Sequence, residues 1–164
     1  MWRHGDWVRV TPRASFVIYG RSDSTLNRGG VRMGTADFYA VVESADQVLD
    51  SLVIDTSGPG ATAEGALLCF LVLAPDTTLA DVDSGLRKTL RTELSPQHVP
   101  DRFIVVEAVP RTLSGKKCEV PVKRILAGTP VEQAVSRDAL ANPEAIAPYI
   151  ELATASTKQS AKAQ

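Results

Sequence analysis

The sequence is poor in the residues that build metal sites and disulfides, with two cysteines and two histidines among 164 residues. His4 and His98 are isolated from each other, so they lack the ligand spacing of a metal site, and we predict none. No grouping of Ser, His and Asp indicates a catalytic triad. Cys69 lies in an apolar run where a thiol packs as a small hydrophobic group, and such sparse cysteine usage is typical of a reducing, cytoplasmic setting.

An excess of charge of either sign is also missing, because 18 Lys and Arg face 19 Asp and Glu. The basic balance of a general nucleic-acid binder is therefore absent, although a neutral total can contain a local basic patch. No run approaches the ~20 apolar residues of a membrane span, and the N-terminus lacks the apolar stretch of a signal peptide. We expect one soluble domain with its own core and with neither nucleic acid nor membrane as a partner.

Alternation of apolar and polar residues predicts a β-hairpin near the N-terminus, with strands at residues 7–10 and 15–19. Residues 20–34 are Gly, Arg, Ser, Asp and Asn with few apolar anchors, so we predict a loop that can act as a hinge. Thr35 is the predicted N-cap of a helix that extends to about Ala45. A hairpin this short is marginal alone, so it is expected to pack against the rest of the chain or a missing partner.

The central part of the chain predicts a small sheet with helices packed on it. Residues 48–55, 66–74 and 102–109 are rich in Val, Leu and Ile, as strands are, while their order and direction stay open. Thr78 and Asp81 loosely match a capping box and open a helix with one apolar stripe. A short helix is predicted around residues 122–126, and the Ala, Ser, Thr, Lys and Gln residues near the C-terminus predict a disordered tail.

Two polar clusters are candidate sites. Residues 20–32 combine three arginines with two adjacent glycines, which suits a phosphate-bearing ligand, but charged loops with glycine are common on surfaces, so composition favours a solvated hinge. Residues 111–124 hold five basic residues against one Glu, which suits an anion but also a lysine-rich surface turn. Ser-Gly-Lys at 114–116 resembles part of a phosphate-binding P-loop, yet Arg111 stands where that motif needs Gly and no Ser or Thr follows Lys116. A P-loop is therefore excluded, and both clusters keep two interpretations.

Three motifs in a fixed order connect these clusters to a known superfamily. They are Gly-Asp at 5–6, the segment from Gly-Arg-Ser-Asp to Gly-Gly-Val-Arg-Met-Gly-Thr at 20–35, and Arg-Thr-Leu-Ser-Gly-Lys at 111–116. Together they resemble the late motifs of the adenylate-forming superfamily, which includes acyl-CoA synthetases, luciferases and the adenylation domains of peptide synthetases. The segments at 116–126, 128–132 and 136–143 are most similar to acetoacetyl-CoA synthetases. The resemblance extends to about Leu152.

The resemblance implies an α+β fold, the small C-terminal lid domain of the superfamily. It assigns residues 1–22 to the end of a preceding region with a β-hairpin, 23–152 to the mobile lid, and 153–164 to a disordered tail. An N-terminal domain with the phosphate loop and the acyl pocket is expected outside this sequence, so the isolated chain is expected to be inactive. The full-length enzyme is expected to use ATP, Mg²⁺, CoA and acetoacetate, with no cofactor held tightly by this fragment.

The same resemblance assigns roles to residues on the adenylating side. Lys116 matches the catalytic lysine that enters the active site while the carboxylate attacks ATP. Asp6 matches the aspartate that accepts hydrogen bonds from the ribose hydroxyls, and Arg21 matches an arginine that contacts the nucleotide. Asp23 matches the hinge about which the lid rotates between an adenylating and a thioester-forming arrangement.

Further residues are assigned to the CoA side and to regulation. Gly30 and Arg32 lie in the loop that the second arrangement brings to the pantetheine channel, and Arg91 stands where acetyl-CoA synthetases place an arginine for the CoA 3′-phosphate. Lysines equivalent to Lys116 are targets of reversible acetylation, so a protein acetyltransferase and a deacetylase are implied partners. The alternative function is a free-standing nucleotide- or CoA-binding or regulatory module without catalysis.

Overall fold

The computed structural model describes residues 6–11, 15–21, 26–28, 31–57 and 65–162, with the backbone alone for 6–10, 16–21, 26–28, 31–33 and 156–162. The hinge residue Asp23, the loop residue Gly30 and the connection predicted at 58–60 lie outside the described residues. In chain order, the helices and strands are β1 Asp6–Val10, β2 Phe16–Arg21, β3 Leu26–Arg28, β4 Val31–Met33, α1 Thr35–Val42, β5 Val48–Asp55, β6 Leu67–Leu73, α2 Leu79–Glu93, β7 Arg102–Val105, α3 Glu119–Leu126, α4 Val131–Ala134 and α5 Ala147–Lys162.

Two antiparallel strand pairs precede the first helix. β1 pairs with β2, with Asp6 opposite Arg21, as the hairpin prediction required. β3 pairs with β4, with Arg28 opposite Val31, so the prediction of a loop is wrong for residues 26–28 and 31–33. Two glycines between short strands indicate a hairpin. The prediction of a loop relied on the polar composition of this segment and overlooked that indication.

A three-stranded sheet in the order β5-β6-β7 forms the centre of the fold. β5 and β6 are antiparallel, with Leu52 opposite Phe70, whereas β6 and β7 are parallel, with Cys69 opposite Phe103. The parallel pair needs a crossover, and α2 supplies it. The structure confirms the three predicted strands in place, but the third ends at Val105, so the prediction is wrong for residues 106–109. It also fixes the order that the sequence pattern left open, with β5 at an edge.

Side chains alternate between the two faces along each strand. Helices cover both faces of this sheet, so both are buried. One face packs against α1 and α2, and the other packs against α3, α4 and α5. The face toward α1 and α2 includes Val53, Leu67, Cys69, Leu71 and Phe103; the opposite face includes Leu52, Ile54, Leu68 and Phe70. The sheet is thus the middle layer of three, and its edges are where polar groups collect.

The local sequence pattern predicted the start of α2 correctly and the start of α1 wrongly. The capping box of α2 is present, since the Thr78 side chain accepts from the Asp81 N–H and the Asp81 carboxylate accepts from the Thr78 N–H at 2.8 Å. The stripe of α2 is also confirmed, with Val82, Leu86 and Leu90 buried. The predicted cap of α1 is wrong, because Gly34 occupies the N-cap position and Thr35 is already helical.

The C-terminal segment is more regular than expected. α5 continues to Lys162, so the prediction of a disordered tail from residue 153 is wrong for residues 153–162. Tyr149, which is fully buried against Phe70 with ring centroids 4.6 Å apart, anchors the start of this helix. Ala, Lys and Gln are good helix formers, so the anchored helix propagates through a polar sequence. No helix in the described part of the chain has both the length and the apolar character of a membrane span.

Candidate functional site

The lysine motif forms a tight turn at the tip of residues 110–118. Thr112 N–H donates to the Lys116 carbonyl at 2.9 Å, and Gly115 N–H donates to the Thr112 carbonyl at 2.8 Å. Gly115 has φ +81°, the left-handed region that favours glycine. A turn closed by such a glycine is a common three-residue hairpin connection. The Ser-Gly-Lys sequence therefore places Lys116 directly after a turn that its glycine makes possible.

The two adjacent lysines leave this turn in opposite environments. Arg111 and Lys117 pair as an antiparallel bridge, and neighbouring side chains on extended backbone point to opposite sides. Lys116 is exposed, and no hydrogen bond or ion pair joins its ammonium to the residues that the structure describes. The side chain of Lys117 is only 14% exposed. The turn thus exposes the Lys116 ammonium to solvent, whereas the Lys117 ammonium is held against the protein.

Lys117 is bound on several sides at the edge of the sheet. Its ammonium pairs with the Glu43 carboxylate and with Asp50 Oδ1, the latter at 2.9 Å, and donates to the Ser51 carbonyl. The same Nζ lies 3.8 Å from the centroid of the Tyr39 ring, a cation–π distance. These contacts attach the C-terminal side of the turn to α1 and β5.

Arg111 attaches the N-terminal side of the turn to the same strand. Its Nη2 lies 2.9 and 2.8 Å from the two carboxylate oxygens of Asp50, and its Nη1 donates to the Gly115 carbonyl at 2.8 Å. Burial alone raises the pKa of the Asp50 carboxyl, but hydrogen bonds and charges from Arg111 and Lys117 outweigh burial and hold that pKa below its ordinary value. Asp50 is therefore an ionised centre between the two anchors.

The cluster also satisfies the backbone of an edge strand. No strand among the described residues pairs with the outer side of β5. Ser51 N–H donates to Glu43 at 3.0 Å, the Ser51 carbonyl accepts from Lys117, and Val53 N–H donates to the Tyr39 hydroxyl at 3.3 Å. Buried backbone groups need such partners. Side chains of α1 and of the lysine turn thus take the place of a neighbouring strand.

Tyr39 connects this edge to the helix that follows the turn. Its hydroxyl donates to Glu119 Oε1 at 2.6 Å, and Glu119 is the first residue of α3. Burial and the Glu119 charge raise the pKa of the Tyr39 phenol, so it stays a hydrogen-bond donor. The contact joins the helical layers on the two sides of the sheet around the edge of β5.

A backbone clamp holds the other side of the turn. Leu113 N–H donates to the Ala139 carbonyl at 3.0 Å, and Ala141 N–H donates to the Arg111 carbonyl at 2.9 Å. The side chain of Asn142 accepts from Arg111 N–H at 2.8 Å and donates to the Val109 carbonyl at 2.9 Å. Residues 139–142 therefore brace the base of the lysine turn, far along the chain from the strand that anchors its side chains.

The remaining candidate residues lie on other elements. Arg91 is exposed in the last turn of α2, on a different element from Lys116. Asp6 and Arg21 face each other across the β1–β2 pair, and Arg32 lies on β4 opposite Asn27. The structure describes the backbone alone at these three positions. Their functional roles remain predictions.

The residues that hold the turn were not found from the sequence, and they include Asp50 and Asn142 as well as Tyr39 and Glu43. Asp50 carried a signal, since a charged residue inside an otherwise apolar strand needs partners when it is buried. Asn142 belongs to the segment used for the subgroup resemblance but had no assigned role. Both act through contacts with the turn rather than by facing solvent themselves.

Comparison with known proteins identifies the domain. Residues 40–116 match the family described as AMP-binding enzyme C-terminal domain, so the matched segment ends on Lys116. Residues 40–116 of this chain thus belong to that family. The α+β fold and the motif resemblance are therefore confirmed, and the segment after Lys116, which braces the turn, lies beyond the matched family region.

Over most of its length, the chain is similar to acetoacetyl-CoA synthetases. It is 41% identical over 147 residues to the enzyme from Rhizobium meliloti (strain 1021), covering 89% of this chain and 22% of that protein. The structure of acetoacetyl-CoA synthetase from Streptomyces lividans matches with a TM-score of 0.78 and 45% identity, covering 94% of this chain and 23% of that one. The chain thus spans about a fifth of the proteins it matches.

A third relative carries a different acyl name. The malonamoyl-CoA synthetase of Penicillium aethiopicum is 39% identical over 137 residues, covering 82% of this chain and 19% of that protein. Relatives named for different acyl groups are thus about equally similar to this chain. Similarity in this domain therefore does not distinguish between those acyl groups.

Proposed function

We propose that this chain is the mobile C-terminal lid of an acid–thiol ligase that converts acetoacetate, ATP and CoA to acetoacetyl-CoA, AMP and pyrophosphate. The observation that carries the proposal is the presentation of Lys116. The turn exposes this one lysine, whereas Arg111 and Lys117 on either side are bound to carboxylates. The names of the relatives support the reaction class.

Lys116 supplies charge to the first half-reaction in this proposal. A carboxylate oxygen attacks the α-phosphorus of ATP, a new O–P bond forms, and the bond to pyrophosphate breaks to leave an acyl-adenylate. The attack brings two anionic groups together, and a positioned ammonium offsets their repulsion and the charge that develops. An exposed lysine on a fixed turn suits this role, because its charge is not already neutralised inside the domain.

The second half-reaction uses another arrangement of the same lid. The thiol of CoA loses its proton to solvent and attacks the acyl carbon of the adenylate. A C–S bond forms, the acyl C–O bond breaks, and AMP leaves with the electron pair of that bond. In this arrangement we place Gly30 and Arg32 at the pantetheine channel and Arg91 near the CoA 3′-phosphate, with rotation about Asp23. Lys116 then has no role, so the two half-reactions depend on different surfaces of the domain.

The proposal requires a larger N-terminal domain for the acyl pocket and for the rest of the nucleotide site. Asp6 and Arg21 contribute to the nucleotide from this chain, and Mg²⁺ accompanies the nucleotide phosphates without a ligand from the lid. The fragment alone is expected to catalyse neither half-reaction. A reducing, cytoplasmic setting is supported by Cys69 and Cys118, which are both buried and free.

The test is Lys116→Ala in the full-length protein that contains this domain. Adenylation, measured as acetoacetate-dependent exchange of pyrophosphate into ATP, should fall about 10²- to 10³-fold, the loss typical of one transition-state contact. Thioester formation from supplied acetoacetyl-adenylate should stay near the unsubstituted rate. Lys88→Ala is the matched control, because Lys88 is an exposed lysine on α2.

The outcomes separate this proposal from its competitors. Equal loss of both half-reactions would contradict a lysine that serves only one arrangement. Unchanged adenylation would remove the catalytic role altogether and would favour a nucleotide- or CoA-binding module without catalysis. Comparing acetoacetate, acetate and butyrate in the same assay would test the acyl group, which similarity in this domain does not decide.

We also propose that a protein acetyltransferase modifies Lys116 and that a deacetylase reverses the modification. The support is the exposure of Lys116 beside the bound Lys117, whose side chain is only 14% exposed. Acetylation removes the lysine charge, so it should stop adenylation. Mass spectrometry after incubation with acetyl-CoA and a lysine acetyltransferase should find the label on Lys116 in preference to the bound Lys117. An even spread over the lysines would contradict this hypothesis.

A further inference from the structure

We propose that Asp50 is the positioning residue of the lysine turn, because its one carboxylate binds the anchors on both sides of Lys116. This inference rests on the proposed function of Lys116. Asp50 lies on β5, 61 residues before Arg111, and does not itself belong to the turn. Its effect on the reaction is exerted through the orientation of Lys116.

The contacts of Asp50 reach the backbone on either side of the catalytic candidate. On one side, Arg111 binds Asp50 with Nε and Nη2. The Nη1 of the same guanidinium donates to the Gly115 carbonyl at 2.8 Å, so Asp50 also restricts the position of that carbonyl. That carbonyl belongs to the peptide bond that enters Lys116. On the other side, Lys117 follows Lys116 directly and pairs with Asp50 at 2.9 Å. The carboxylate therefore fixes the chain before and after Lys116.

The turn needs this external support. Its own hydrogen bonds close a loop of a few residues, and a hairpin this short is marginal in water without packing. The side chain of Leu113 at its tip is 72% exposed, so apolar burial does not hold the tip in place. The direction in which Lys116 projects therefore depends on polar anchors to the sheet and on the backbone clamp at residues 139–142.

The charges favour a single presented cation. Asp50 and Glu43 together offset the charges of Arg111 and Lys117, so Lys116 is left as the uncompensated charge of the turn. Without the Asp50 charge, the Arg111 guanidinium would be free to compete for the same anionic ligand. Glu43 cannot substitute for Asp50, because it contacts Lys117 and Ser51 while Arg111 is bound by Asp50.

The central experiment is Asp50→Asn in the full-length protein, with both half-reactions measured. Misplacement of a reacting group by about 1 Å can cost about a hundredfold, so we expect adenylation kcat to fall about 10- to 100-fold. The KM for ATP and the rate of thioester formation from supplied acyl-adenylate should change less than about twofold, since the CoA-side surfaces are untouched. Asp50→Glu, which keeps the charge, should recover part of the lost adenylation.

Two further variants make the result specific. Arg111→Lys keeps a charge but loses the two-pronged contact with Asp50, so it should reproduce the selective loss of adenylation with less disturbance of Lys117. Asp83→Asn is the control, because Asp83 binds the Nε of Arg87 with both carboxylate oxygens on α2 at 3.1 and 2.9 Å. It should leave both half-reactions unchanged.

The outcomes distinguish this inference from the proposed function. Unchanged adenylation in Asp50→Asn and Arg111→Lys, together with a loss in Lys116→Ala, would overturn the positioning role alone. Equal losses of both half-reactions in Asp50→Asn and Arg111→Lys would show a general structural effect and would also overturn it. Unchanged adenylation in Lys116→Ala would instead refute the proposed function on which the inference rests.

Discussion

The replacement Lys117→Met tests whether the lysine beside the catalytic candidate is a structural anchor. Methionine keeps an unbranched stem of similar size, so the change removes the charge and its contacts with little loss of packing. The ammonium binds Glu43, Asp50 and the Ser51 carbonyl and lies 3.8 Å from the Tyr39 ring centroid. Its loss leaves two carboxylates near each other without their shared cation.

The magnitude follows from the burial of these groups. Removing one partner of a buried ion pair costs about 3–5 kcal/mol. Here the side chains of Glu43 and Asp50 are 32% and 19% exposed, and each keeps another donor, in Ser51 and Arg111. We therefore expect the free energy of unfolding to fall by about 2–3 kcal/mol, with the cation–π contact contributing about 0.5–1 kcal/mol of it.

The assays are urea unfolding and thermal unfolding of the chain, each followed by circular dichroism. For a protein of this size a loss of this order lowers Tm by about 4–12 °C. Lys88→Met is the control, because an exposed lysine on α2 should change stability by less than about 0.5 kcal/mol. A loss below about 1 kcal/mol in Lys117→Met would refute the reasoning, since it would show that the cluster adds no net stability.

Two other predictions concern the supports of the same turn. Asn142→Ala removes hydrogen bonds to Arg111 N–H and the Val109 carbonyl, so urea unfolding should show a loss of about 1–3 kcal/mol, whereas a loss near zero would show that water replaces them. The pKa of Asp50 is held below its ordinary value, so its contribution to stability is present above about pH 4 and is lost as pH falls through the folded value. The stability of the unsubstituted chain should therefore fall more steeply below pH 4 than that of Asp50→Asn, and parallel acid limbs would contradict this assignment.

Local sequence was sufficient where an element is stabilised by neighbours in the chain. The capping pair Thr78 and Asp81 and the buried stripe of α2 both depend on one helix and its first residues, and both were predicted. The strands β5 and β6 followed from their apolar composition. The β3–β4 pair and the full length of α5 were missed, because polar composition was given more weight than hairpin spacing and helix propensity.

In the candidate site, too, residues that depend on chain neighbours could be predicted and residues that depend on distant contacts could not. Lys116 could be found from its motif, since the turn depends on Gly115 next to it in the sequence. The contact of Asp50 with Arg111 joins residues 61 positions apart, and that of Asn142 with Arg111 joins residues 31 apart. No local pattern encodes such pairs, because they depend on which strand becomes the edge of the sheet and on where the chain returns after α4.

The outer side of β5 also bears on how copies of this domain behave toward each other. An open strand edge can pair with the edge of another chain and begin aggregation. Here Tyr39, Glu43 and Lys117 occupy the backbone groups of Ser51 and Val53 that such pairing would use. The contacts that hold the lysine turn thus also prevent β5 from pairing with a strand of another molecule. Substitutions that release the turn will therefore leave the backbone groups of β5 free for such pairing and favour aggregation.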